Sequence, residues 1–347
     1  MRFVSKYSLL ALLVLSFVSC SEMLYTNIEV LRPAKVVFPA DIERVMIVNN
    51  SIPQDHDYGH VTELFDQKKH KISIDTDSLA IYSLAAFAES VQDKEFFSSV
   101  GVTYNTIRTS GDYLSTIPPY QTTITGLAEK NQANAVISLN RILVNDNVSE
   151  LFNQEENTFL AYMEARYEKH WTIHFPEKKQ MINLITRDTV YWESESYYRQ
   201  RAMNGLPVRR DALIDGALIT GARDVNKFIP YWEQVDRYFF NFKNKAFKPG
   251  MDAVYRKDWE GAIACWENLL TNTKDGSYKS KIAHDLAVVY EIKENIDKAY
   301  EYSNKAVEFF RNSIIVDFQH LMYVAQYNAQ LKTRLADQKT LKKQLGE

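Results

Sequence analysis

The chain has 347 residues, with 41 Lys plus Arg against 44 Asp plus Glu and only two cysteines. This balance gives no basic footprint for nucleic acid, and two cysteines cannot build a disulfide framework. With 9 Pro and 11 Gly the composition is that of a globular protein, and the length predicts about two domains.

Arg2 and Lys6 precede an apolar run from Leu9 to Leu15, then Ser16-Phe17-Val18-Ser19-Cys20. The run is shorter than the ~20 apolar residues that span a bilayer, so residues 1–19 read as a secretory signal. Val18-Ser19-Cys20 resembles the lipobox of bacterial lipoproteins. The resemblance implies that Cys20 becomes the acylated mature N-terminus, and several acyl chains would anchor it stably in a membrane. Ser21, and the lack of an acidic run, are similar to outer-membrane lipoproteins that face the periplasm. Residues 20–27 then form the tether.

Residues 28–240 read as a mixed α/β domain. Apolar, β-branched runs at 28–31 and 45–49 predict strands, parted by Pro33 and Pro39. Residues 51–77 look like loop, 78–97 and 121–131 like helices, and 135–144 like a strand covered on both faces. Residues 159–175 alternate strictly, which predicts an antiparallel strand with one wet face. A turn at Pro176 to Lys179 brings 181–192 back as its hairpin partner. Residues 209–226 read as a further helix.

Residues 241–347 read as an all-α region. Lys257-Asp258-Trp259-Glu260-Gly261-Ala262 parallels Lys293-Glu294-Asn295-Ile296-Asp297-Lys298-Ala299, with the two alanines 37 residues apart. With Leu286, Ala287, Tyr290 and Ala306 around the second copy, and Gly250, Trp266 and Leu269 around the first, the pattern resembles tetratricopeptide units. Pro249 should shorten or kink the first helix. Two such units need support, for which 209–226, the aromatic segment 231–240 and a capping helix over 314–345 are available.

The lipobox, the opening Glu29-Val30-Leu31-Arg32-Pro33-Ala34 and the repeat turn Asp258 to Ala262 together resemble a known group. It comprises tetratricopeptide-repeat lipoproteins of Gram-negative bacteria with a front domain of unknown function. The strand at 45–49 is also similar to the sheet domain of curli-secretion lipoproteins. Neither resemblance implies catalytic residues.

No phosphate loop, Gly-x-Ser-x-Gly elbow or helical His-Glu-x-x-His is present, and no cofactor is expected. Gly216 and Gly221 lie in a helix, where close packing explains them. His170 and His174 are four apart on a strand, roughly 13 Å, too far to share a metal. Asp55-His56-Asp57 with His60 could fold together, so His56 and His60 are the metal candidates, against a solvated loop. The pairs Glu155-Glu156 and Glu193 with Glu195 read as solvated, and Cys265 as a packing thiol. By repeat register, Phe247, Met251, Tyr255, Lys281, His284, Val288 and Glu291 would line a groove for an extended peptide or partner helix. The alternative is that this strip packs within the protein. The expected role is a non-catalytic scaffold or assembly factor that holds an unidentified envelope protein. The rivals are glycan capture on aromatic platforms, or a hydrolase using residues 51–77.

Overall fold

The computed structural model describes residues 23–64, 68–241, 244–313 and 317–346. The expected signal, Cys20, Ile315 and Val316 lie outside the described residues. An α+β region with a mixed sheet is followed by an all-helical stretch, as the sequence predicts. The described residues form two compact units: a sheet unit within 34–231 and 344–346, and a helical unit within 23–33 and 232–343. The strand β1 (Met23–Arg32) therefore groups with the helices.

The sheet unit is built on β2 (Arg44–Asn49), β3 (His60–Glu63), β4 (Lys69–Lys71) and, beyond α1 (Leu79–Asp93), β5 (Ser99–Thr103). After α2 (Gln121–Asn131) come β6 (Ala135–Asn153), β7 (Thr158–Phe175) and β8 (Gln180–Ser196), then α3 (Arg199–Gly205) and α4 (Arg209–Phe228). Strand order is β4-β3-β6-β2-β5, and β7 joins β6 to β8. β2 runs parallel to both β5 and β6, whereas β6, β7 and β8 form an antiparallel meander. β7 occupies one edge of β6 throughout, so β2 and β3 share the other edge at different heights.

The apolar run of β2 is buried on both faces for a reason visible in its neighbours. Val45 and Ile47 join Leu84 and Phe87 of α1, while Met46 and Val48 join Ile124 and Ala128 of α2. β7 turns Ala161, Met163, Ala165, Tyr167, Trp171 and Ile173 into the main core. Gly216 and Gly221 let α4 approach, since a Cβ there would lie 2.3 Å from Tyr167 Oη and 2.3 Å from Ser83 O respectively. The wet face of β7 is only partly wet. Thr172 and His174 are buried, because Val136, which pairs with His174, belongs to the cluster under α2.

Several short strands or strand extensions, β5 among them, escaped the sequence. β3 and β4 lie inside the expected loop, and β6 runs nine residues past the expected end at 144. The join between β2 and β3 is made by a side chain. Gln54 Oε1 accepts from Val144 N (2.8 Å), and its Nε2 donates to Val144 O (2.9 Å) and Tyr58 O (2.7 Å). The amide thus replaces a peptide unit along the edge of β6.

In the helical unit, β1 pairs with β9 (Tyr231–Phe240). The helices are α5 (Lys248–Tyr255), α6 (Trp259–Asn272), α7 (Gly276–Ile292), α8 (Ile296–Arg311) and α9 (Phe318–Leu345). α5–α6 and α7–α8 are hairpins closed by the same bonds. Asp258 N donates to Ala253 O and Asn295 N to Tyr290 O, both at 2.9 Å. Lys257 and Glu294 each take φ of +58°, and Asp258 and Asn295 cap the following helices. Ala262 and Ala299, at the equivalent helix contact, are fully buried. Pro249 falls in the first turn of α5, where its missing N–H costs no hydrogen bond, and the helix is short rather than kinked. Gly250 admits Trp266, whose Nε1 would lie 2.1 Å from a Cβ.

Candidate functional site

The expected repeat groove is filled. Phe247 packs on Trp266 with ring centroids 5.3 Å apart, and Met251 and Val288 belong to the same core. His284 is fully buried, stacked on Tyr238 at 4.5 Å and donating from Nε2 to the Tyr238 carbonyl (3.1 Å). Glu291 is fully buried too. Arg237 grips it through two bonds of 2.6 and 2.8 Å, Arg334 approaches to 2.9 Å, and Tyr327 donates at 2.7 Å. Burial opposes ionisation of Glu291, but Arg237 outweighs it and holds the carboxyl below its usual range. Of the seven residues, only Tyr255 stands exposed, at 57%; Lys281 is partly covered, with Nζ 5.5 Å from the Phe240 ring. The open strip is therefore corrected: β9 and α9 occupy it. A line of apolar groups at helix spacing is the same signal whether it faces a partner or the protein's own strand.

The metal candidates are separated. His56 meets Asp75 and Asp77 instead of His60, with Nε2 3.0 Å from Asp77 Oδ1 and 3.8 Å from Asp75 Oδ1. All three groups are solvent-facing, and the Asp77 hydrogen bond raises the imidazole pKa against the smaller opposing effect of burial. Arg210 competes for Asp75 at 3.3 Å. His60 points inward, with Nδ1 on Asp146 Oδ1, while Arg209 takes Asp146 Oδ2. It cannot join a site with His56. Nearby, a shallow polar cleft of about 340 Å³ touches Gly59, Asn145 and Asp146, but His60 does not line it.

Other sequence candidates sort by burial. Trp171 and Trp266 are buried, Trp192 and Trp259 are partly covered, and Trp232 is 61% exposed. Cys265 is a half-buried free thiol. His174 is neutral at ordinary pH, since burial pushes it down to about 4.

Two features went unread in the sequence. The first is a cleft of about 510 Å³ between Asn50, just past β2, and the segment from Ile107 to Thr123, past β5. The loop Thr106-Ile107-Arg108-Thr109-Ser110-Gly111 between a strand and a helix was its only trace. The second is the outer edge of β8. This 17-residue strand pairs with β7 alone among the described residues. Its stretch from Gln180 to Thr186 has no charge and no proline, and Met181 and Ile185 are exposed.

The class so defined is a mixed-sheet α+β unit with a helical-hairpin unit. Residues 42–240 match the family described as "Domain of unknown function (DUF8603)", and the chain belongs to that family. Residues 248–333 match a second, "Domain of unknown function (DUF6340)". No curated protein matches the chain. Among solved structures it is similar to a protein described as a neuraminyllactose-binding hemagglutinin homologue from Helicobacter pylori. Identity is 8%, over 55% of this chain and 89% of that one, with a TM-score of 0.26. So loose a superposition brings nothing of that protein's binding to this chain.

Proposed function

We propose that the chain is a non-catalytic, lipid-anchored envelope protein of the tetratricopeptide-lipoprotein kind, which holds a protein partner at the outer membrane. Cys20 is its acylation point, and the periplasm-facing leaflet its place. The observation that supports a holding role is the free edge of β8. Within the seven-stranded sheet the other edges are guarded by brevity: β4 has three residues with two lysines, and β5 has five. The uncharged stretch of β8 from Gln180 to Thr186, unpaired on its outer side among the described residues, instead offers N–H and C=O groups to an extended segment of a partner protein, which adds as a further strand. The interaction surface is thus moved from the repeat groove to the sheet. Glycan capture keeps Trp232 and exposed tyrosines such as Tyr120, and the polar cleft beside Asp146 is not lined by His60.

The test is in-cell crosslinking of the tagged full-length protein beside a Met181→Lys/Ile185→Lys variant. Charges on an edge strand block pairing while leaving the fold intact. Loss of one specific crosslinked protein in the variant is expected; an unchanged profile overturns the docking edge. In a separate fractionation, Cys20→Ala should leave the membrane pellet, and its retention there overturns the anchor.

A further inference from the structure

β2 and β5 lie side by side and parallel, yet the helices that follow them cover opposite faces of the sheet. α1 packs on Val45 and Ile47, whereas α2 packs on Met46 and Val48. The strand order β5-β2-β6 reverses at β2, and in open α/β sheets ligands bind beyond the carboxyl ends of the strands at such a reversal. The cleft of about 510 Å³ sits at that point, between Asn50 and the segment leaving β5.

Its lining is chemically one-sided. Arg108 is the only charged residue among the lining groups, and among the described residues it makes no ion pair. One guanidinium N–H is spent on the Ile117 carbonyl. Asp112, the nearest acid along the chain, turns its Oδ1 to the Leu114 N–H. A half-covered arginine without a carboxylate is a cation waiting for an anion, because the charge has lost part of its water without gaining a partner. Thr109, Ser110, Ser115 and Thr123 bring hydroxyl groups to the same walls. α2 begins there as well: Tyr120 supplies no side-chain cap, and the first helical bond runs from Ile124 N to Tyr120 O. The N–H groups of the first turn are thereby left for another acceptor. Pro118, Pro119, Ile107 and Tyr120 line the rest with apolar surface.

We propose that this cleft binds a small phosphate-bearing ligand, its phosphate seated on Arg108 between the Ser110, Ser115 and Thr123 hydroxyls. Arg108 supplies the paired donors that match a tetrahedral oxyanion, and the hydroxyls and first-turn N–H groups take the remaining oxygens. The apolar wall leaves room for the organic part of a phosphoester. This site is independent of the β8 edge and survives the failure of that reading.

Titration of the full-length protein, followed by amide chemical shifts and calorimetry, tests it with inorganic phosphate, glucose 6-phosphate, gluconate and chloride. Shifts confined to residues 50 and 107–123 are expected with both phosphates, and tighter binding of the sugar phosphate marks an ester as the natural ligand. Equal affinity for both phosphates points to free phosphate as the source. Arg108→Gln should weaken either by roughly tenfold or more. Because Arg108 also holds the Ile117 carbonyl, Thr123→Val serves as a second variant at an exposed hydroxyl and should weaken binding several-fold. No phosphate-dependent shift, equal shifts with chloride or gluconate, or unaltered affinity in both variants overturns the proposal.

Discussion

The two units bury polar groups in opposite styles. In the sheet unit they sit in small separate groups that fix geometry. Gln54 completes the edge of β6, and Asn50 joins Asn140 (2.9 Å) to the Ile117 carbonyl (3.0 Å). Lys169, on the core face of β7, ends on Asp224 Oδ2 and Thr220 Oγ1, both at 2.9 Å. Its unpartnered atoms, on Ser83, Arg141 and Asn147, are scattered. In the helical unit a dense ion cluster around Glu291 lies near a group of unsatisfied ones. His284 Nδ1, His320 Nδ1, Asp285 Oδ2 and Tyr238 Oη are all buried without a partner. One unit uses polarity to set strand register; the other gathers its buried titratable groups in one place.

The largest break in this contrast should come from Glu291→Gln. Two arginines would be left in the core facing a neutral group, and losing one member of a buried pair costs about 3–5 kcal/mol. Urea unfolding with hydrogen exchange read by unit should show the loss in residues 232–343. A uniform loss across both units would erase the distinction.

Acid should act next most strongly, through two histidines in the helical unit and through His174 in the sheet unit. Burial depresses His284 to about 3 and His320 to about 4, against about 6.5 in the unfolded chain. Their folded pKa values are lowered, so the stability of the neutral forms is complete above about pH 6.5 and is lost as pH falls toward 4. The loss is about 1.4 kcal/mol per histidine for each pH unit below that point. Melting at pH 7.5 and 5.5 measures it, and a His284→Gln/His320→Gln variant should flatten the slope.

Gln54→Ala tests the sheet unit. It leaves Val144 N–H and C=O buried and unpaired and should cost about 1–3 kcal/mol, with faster amide exchange at Val144. Exchange at Val144 equal to wild type would mean that the side chain carries no part of the ladder.

The smallest effect is a gain. Asp285 is fully buried with only Phe240 N on Oδ1 (2.9 Å), so burial pushes its pKa well above the usual carboxylate range. A raised carboxyl contributes stability below its unfolded value of about 3.9 that is lost as pH rises. Asp285→Asn keeps the acceptor for Phe240, removes the titration, and should raise the unfolding free energy at pH 7 by about 1 kcal/mol or less, read as a higher urea midpoint. A lower midpoint would show Asp285 ionised and paired.

Much of the fold was legible from periodicity. The helix at 121–131 and the hairpin of β7 and β8 follow from patterns that only one structure satisfies. The turns at Lys257 and Glu294 were legible because a repeat shows its own register. What stayed hidden depends on neighbours far along the chain. β9 reads as an aromatic segment of any kind until its partner β1, some 200 residues earlier, is known. Five of the seven strip residues are buried, and no local signal says that Tyr327 and Arg334 of α9 arrive at Glu291. The cleft was least legible, because a switch point is a property of strand order and leaves no motif.

Gln54 has one more consequence. Because a side chain stands in for the peptide that β6 needs, residues 55–58 leave the sheet and return without opening a gap in its edge. β2 and β3 behave as a single strand with a detachable excursion, and the sheet's register is insulated from the excursion's length. A chain wired in this way can lengthen or shorten that segment across generations, or accept a grafted peptide there, while every strand around it keeps its place.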